Sequence, residues 1–187
     1  MSGPVTYVYV GVLASWLGYV LFLQWTEAEM AVVAGVLLGA GLIQGLRNSM
    51  VVRGLVAVLE PVGIVLPLLA LWHMVVTVVP GAVAWTGGWN GWALLAFLLG
   101  YVAFLAASMG VTRVTAYPLG YRAGPVGIMV LALCLVGLVT GQILLPVIAV
   151  AGQVMWTLRI GSSNWFDHVL HVLLVPVVAV ELISRVL

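Results

Sequence analysis

Long apolar runs alternate along the whole chain with short breaks marked by polar residues, glycine or proline. The runs cover residues 5–25, 30–46, 54–79, 92–109, 125–147 and 165–185. Each is close to the roughly 20 residues that carry an α-helix across a bilayer. The pattern therefore predicts an all-α, polytopic integral membrane helical bundle. It forms a single domain over 1–187 with about six transmembrane helices, seven being the alternative count.

Three runs carry internal punctuation. The second contains Gly35-x-x-x-Gly39 and Gly41-x-x-x-Gly45, a spacing of small residues that lets helices approach closely in lipid. The third contains Glu60-Pro61 and Pro67, which predict a kink or a broken helix. The hardest stretch is Pro125 to Arg159, interrupted only by Gly141-Gln142, Pro146 and Gly152-Gln153. As one straight helix it would reach roughly 50 Å at 1.5 Å per residue, beyond a hydrocarbon core of about 30 Å. Two full spans need about 20 residues each plus a turn. The expectation is one kinked span to Val147 and a re-entrant or interfacial piece around 141–160. Gly161-Ser162-Ser163-Asn164 then forms the cap region of the last span.

Composition sharpens this picture. The chain is 65% hydrophobic and 6% charged, with a mean hydropathy of +1.29. Soluble domains carry about 25% charged residues, so a soluble fold is excluded. A net charge of +1 without a basic stripe excludes a nucleic-acid partner. All six cations are arginine, and the absence of lysine rules out Schiff-base chemistry. The single cysteine, Cys134, reads as a core residue. The first run lacks the positive flank of a secretory signal and reads as a retained span.

Arginine sets the expected orientation. With the N-terminus inside, Arg47, Arg53, Arg113, Arg122 and Arg185 are cytoplasmic and only Arg159 is outside. Both termini are then cytoplasmic, in the cell membrane. Seven spans score equally, because Arg159 and Arg185 exchange sides. Six spans also gather Trp25, Trp85, Trp89, Trp92, Trp156 and Trp165 into one outer aromatic belt, which favours that count.

Candidate chemistry concentrates in Asn164-Trp165-Phe166-Asp167-His168-Val169-Leu170-His171. On a continuous helix, positions 164, 167, 168 and 171 share a face. Ionisable groups within a span are expensive and mark functional sites. In the six-span arrangement His73 and His171 lie at the same depth below the outer surface. Three readings follow. Glu60, His73, Asp167 and His171 line a proton or ion path; or His73 and His171 ligate haem, or a metal together with His168 and Asp167; or Asp167 and His168 are interfacial anchors beside Trp165 and Phe166. Glu60 serves equally as a structural partner of Arg53 or Arg47. Glu181 and Arg185 have the i,i+4 spacing of a helix ion pair, while Gln44, Gln142 and Gln153 suit interhelical hydrogen bonds.

No nucleophile triad, phosphate-binding glycine loop or C-x-x-C motif occurs, so enzymatic chemistry by this chain alone is not expected. The leading functional expectation is a small transporter or channel-like subunit for protons or a small solute, working without a cofactor. The alternative is a non-transporting membrane subunit of a larger, respiratory-type complex. The expected partners are the lipid bilayer and either further copies of the chain or other membrane subunits.

Overall fold

The computed structural model describes residues 4–59, 63–83, 89–113 and 115–185. Among them the regular structure is entirely helical: α1 (Pro4–Phe22), α2 (Ala28–Leu46), α3 (Met50–Leu59), α4 (Val65–Val78), α5 (Gly91–Ser108), a 3₁₀ turn (Tyr117–Tyr121), α6 (Ala123–Thr140), α7 (Leu144–Thr157), α8 (Phe166–Val169) and α9 (Leu174–Ser184). Helices α1, α2, α5, α6 and the stretch Phe166–Ser184 are long and apolar enough to cross a membrane, and α4 and α7 are shorter apolar helices. The molecule is a helical membrane bundle.

Proline marks the first turn of four helices. Pro67, Pro125, Pro146 and Pro176 each stand third in α4, α6, α7 and α9. A first-turn N–H has no intrahelical partner, so proline costs no hydrogen bond there. Gly141 provides the complementary stop. It caps α6 in the left-handed region at φ 71°, and the Gly141 and Gln142 N–H groups both donate to the Gly137 carbonyl.

One expected span is broken, as its prolines predict, and two others are corrected. The run 54–79 is two helices, α3 and α4, separated around Gly63 and Ile64. The run 125–147 is not one kinked helix, because Gly141 ends α6 and Pro146 opens α7 as the second arm of a helical hairpin. The run 165–185 is not continuous either. Leu170 is extended at φ −126°, ψ 139°, and helix resumes only at Leu174.

The tightest packing joins α1 and α2, which run antiparallel. A Cβ on Gly35 would lie 2.6 Å from the Tyr19 backbone nitrogen, and one on Gly18 would lie 3.0 Å from the Gly35 Cα. Gly39 is likewise pressed against the backbone of Gly11 and Ser15. The predicted Gly35/Gly39 pair thus serves contact between helices. Gly41 and Gly45 have open space around them. Near the start of α1, Val10 packs with Val52 and Val56 of α3. Near its end, Tyr19 and Ala31 pack with Met74 of α4. The α3–α4 segment therefore runs parallel to α1.

Contacts further along fix the remaining directions. Arg185 donates to the Trp89 carbonyl at the start of α5, Val65, Tyr101 and Leu174 form a cluster, and Phe104 meets Phe166 at 4.8 Å. The Trp165 backbone N–H donates to the Gly120 carbonyl at 3.0 Å. Hence α5 runs one way and α8–α9 the other. Traced through the described residues, with α3–α4 and α8–α9 each one pass, the chain passes between the two ends of the bundle seven times.

The additional pass is α7, and it has consequences for three expectations. The start of α1 and the end of α9 lie at opposite ends of the bundle, whereas six spans place the termini together. Trp89 and Trp165 also lie at opposite ends of α5, so the single aromatic belt divides. Finally, α4 and α9 run parallel, so their histidines are not level. Exposed Arg47, Arg53, Arg113, Arg122 and Arg159 share the end that holds the 3₁₀ turn. Glu27, Glu29 and the Glu181–Arg185 pair occupy the other; that pair closes at 2.7 Å, as its spacing predicts.

Candidate functional site

Two interrupted segments cross at their interruptions. Gly63, between α3 and α4, lies directly against the backbone of Asp167 and His168, leaving no room for a Cβ. Gly152 of α7 closes the other side, where a Cβ would lie 3.5 Å from the His168 Cβ. These close approaches bury His168, which is 2% exposed, together with Asn164 and Trp165.

Around this crossing the loop side chains form a hydrogen-bonded cluster. The Asp167 carboxylate accepts from the Tyr117 hydroxyl at 3.0 Å to each oxygen and from the Ser162 hydroxyl at 2.5 Å. Ser162 Oγ in turn accepts the Asn164 N–H at 3.0 Å. The Asn164 amide donates to the Tyr117 carbonyl at 3.0 Å, and its Oδ1 accepts the Phe166 N–H at 2.9 Å. This last bond is an Asx turn leading into α8, whose N-cap is Trp165 and not the expected 161–164 segment. Trp156 Nε1 donates to the Ser163 carbonyl at 2.8 Å. Burial, then the hydrogen bond to Asp167, then the neighbouring Tyr121 raise the Tyr117 pKa above the ordinary phenol value. Tyr117 therefore remains a hydroxyl donor to the carboxylate.

Each imidazole has its own environment. His168 Nε2 lies 2.9 Å from the Ser162 carbonyl, which can only accept, so that nitrogen carries the proton. His73 Nδ1 accepts from Trp16 Nε1 at 3.2 Å, with Tyr19 edge-on at 5.7 Å. His171 Nδ1 accepts the Leu173 N–H at 3.2 Å, within the break before α9. In the neutral ring both His73 and His171 then carry the proton on Nε2 as well.

Val65 and Leu174 sit at one level, packed with Tyr101. His73 is eight positions beyond Val65, about 12 Å toward one end at 1.5 Å per residue. His171 precedes Leu174 on the other side of that level. A bis-histidine haem ligated by His73 and His171 does not form in this arrangement. Among the described residues no three His, Cys, Asp or Glu side chains gather as metal ligands.

Of the proposed path residues, Asp167 belongs to the cluster, His171 lies four positions along the same interrupted segment, and His73 is apart on α4 against α1. Glu60 lies outside the described residues, as do Pro61 and Trp85. The expected shared face of 164, 167, 168 and 171 is lost, because α8 stops at Val169. The sequence reading missed Tyr117, Ser162 and Gly63. Ser162 and Gly63 lie in loops and Tyr117 opens the 3₁₀ turn, where no α-helical period points to a partner, although Gly63 stands two positions after Pro61 in the sequence. Compared with protein families, with curated proteins and with solved structures, the chain finds no match.

Proposed function

We propose that this chain is a small membrane transporter or channel-like protein for protons or a small solute. The observation that supports this most is the meeting of two interrupted membrane segments, Gly63 against Asp167–His168. Interrupted helices free backbone groups inside a bundle, and such sites bind substrates and coupling ions in transporters. Asp167 supplies a carboxylate beside the crossing. His171 sits in the second break, and Glu60 precedes the first by three positions. No chemical reaction is assigned to the chain.

The proposed orientation follows the arginines. The end bearing Arg47, Arg53, Arg113, Arg122 and Arg159 faces the cytoplasm of the cell membrane, with the start of α1, and α9 ends outside. Labelling of cysteines introduced at Ser49 and Ser184 from each side tests this, and equal accessibility from one side overturns it.

Transport is tested with purified protein in liposomes carrying a pH-sensitive dye and an imposed pH gradient. Dye response above that of protein-free liposomes is expected, falling at least tenfold in Glu60→Gln and His171→Ala at unchanged thermal stability. Wild-type protein indistinguishable from empty liposomes, with protons and with a panel of small solutes, overturns the reading. A second reading, a non-transporting subunit of a larger membrane complex, draws on Gly41 and Gly45, whose outward positions leave room for another helix. Co-purification of a stoichiometric membrane partner from the native membrane would favour it.

A further inference from the structure

A cleft of about 900 Å³ lies among α4, α5, α6, α7 and α9. Its walls include Leu69, Phe97, Leu133, Ile148, Leu170 and Val177, and nearly all of its surface is apolar. It exists because α9 rests mainly on α5, leaving the gap on its other side facing the α6–α7 hairpin. Packed interiors do not hold empty space of this size, which equals a large ligand site. The gap lies at membrane depth, where hydrocarbon chains are the available filler.

Among the described residues of the lining Glu181 is the one charged side chain, and Arg185 clasps it while also holding the Trp89 carbonyl. Arg185 is 40% exposed at its side chain. A guanidinium has five N–H donors, so hydrogens remain for an anionic oxygen after these contacts. The site thus has an apolar trough with the Glu181–Arg185 ion pair at one mouth, where the guanidinium hydrogens left over from that pair can donate to a phosphate oxygen beside an acyl chain in the trough.

We propose that this cleft binds one membrane phospholipid, an acyl chain lying between α9 and the hairpin and the phosphate at Arg185. This is independent of the transport reading, since a bound lipid with absent flux, or the reverse, separates the two.

Native mass spectrometry of the full chain tests it, after delipidation and titration with dioleoyl phosphatidylglycerol. A one-to-one adduct that persists when other lipid is stripped is expected. Ala132→Trp, which fills the cleft from α6, should reduce that adduct at least tenfold. Leu131→Trp, on the 71%-exposed lipid face of the same helix, should leave it unchanged. Arg185→Gln should weaken retention severalfold. If Ala132→Trp fails a thermal-stability check, Val177→Phe carries the same reading from α9. A graded series of adducts, equal in wild type and in the folded cleft variant, means annular lipid only and overturns the proposal.

Discussion

The α1–α2 pair and the gap between α9 and the α6–α7 hairpin are both walled by apolar helices, yet one is closed and the other open. In α1–α2, Gly18, Gly35 and Gly39 bring backbone onto backbone. Across the gap, Met129, Leu133, Ile148 and Leu170 face a common space of about 900 Å³. In water, apolar walls would be driven together; in lipid they gain nothing by leaving hydrocarbon for one another. Close approach and hydrogen bonding therefore decide which helices touch, and apolarity alone does not. The same rule explains why the interrupted α8–α9 segment is pinned where Gly63, Gly152 and the Asp167 cluster hold it.

The sharpest way to break this comparison is to add a methyl group at the closed pair. Gly35→Ala and Gly39→Ala should each lose about 1–3 kcal/mol or more, because backbone atoms stand where the Cβ must go. Gly41→Ala and Gly45→Ala meet nothing within 4 Å and should gain up to about 1 kcal/mol from helix propensity. Denaturation of all four in one detergent checks both halves, and equal responses would dissolve the distinction.

Next in size is Asp167→Asn. It keeps the shape but replaces charge-assisted acceptance from Tyr117 and Ser162 with neutral bonds. Hydrogen bonds to charged groups contribute about 1.5–3 kcal/mol, so a loss of about 1–2 kcal/mol is expected. A thermal midpoint equal to that of wild type would show that the cluster does not hold the α8–α9 segment.

A smaller effect comes from pH. The Tyr117 pKa is raised in the folded state by burial and by Asp167, so folding holds the phenolic proton more tightly. That stabilisation is full below the ordinary phenol value of about 10 and is lost as pH rises through the raised value. Stability should fall on alkaline titration above about pH 10, and fall less in Tyr117→Phe. The smallest expected change is at the open gap. Val177→Phe should alter stability by no more than about 0.5 kcal/mol, because the added ring enters unpacked space. In the buried core, Val126→Phe should cost about 1–3 kcal/mol.

The membrane class and most helix positions were legible in the chain because length and apolarity are local properties. The break between α3 and α4 and the partner-contacting role of Gly35 and Gly39 were legible for the same reason. The α6–α7 hairpin was not. A threshold of about 20 residues per span disfavours a 14-residue helix, although Gly141 followed by Pro146 is a stop and a start. That one missed pass reversed α9, and with it the relation of His73 to His171 and of Trp89 to Trp165. Asp167 stands out in the chain as a carboxylate beside two imidazoles, but its partners Tyr117 and Ser162 come from the 3₁₀ turn and a loop, where contact depends on the finished fold.

The helices opened by a third-position proline also constrain how the chain enters the bilayer during synthesis. Helices α1, α2, α5 and α6 have the length to partition into lipid singly. Helix α7, with 14 residues, extends about 21 Å and would leave polar backbone ends inside hydrocarbon if it inserted alone. It must enter together with α6, as a hairpin already bent at Gly141. The α3–α4 segment similarly needs α1 and α2 in place to receive it. The expected order of biogenesis is therefore the self-sufficient helices first, with α7 carried in by α6 and the α3–α4 segment received by α1 and α2.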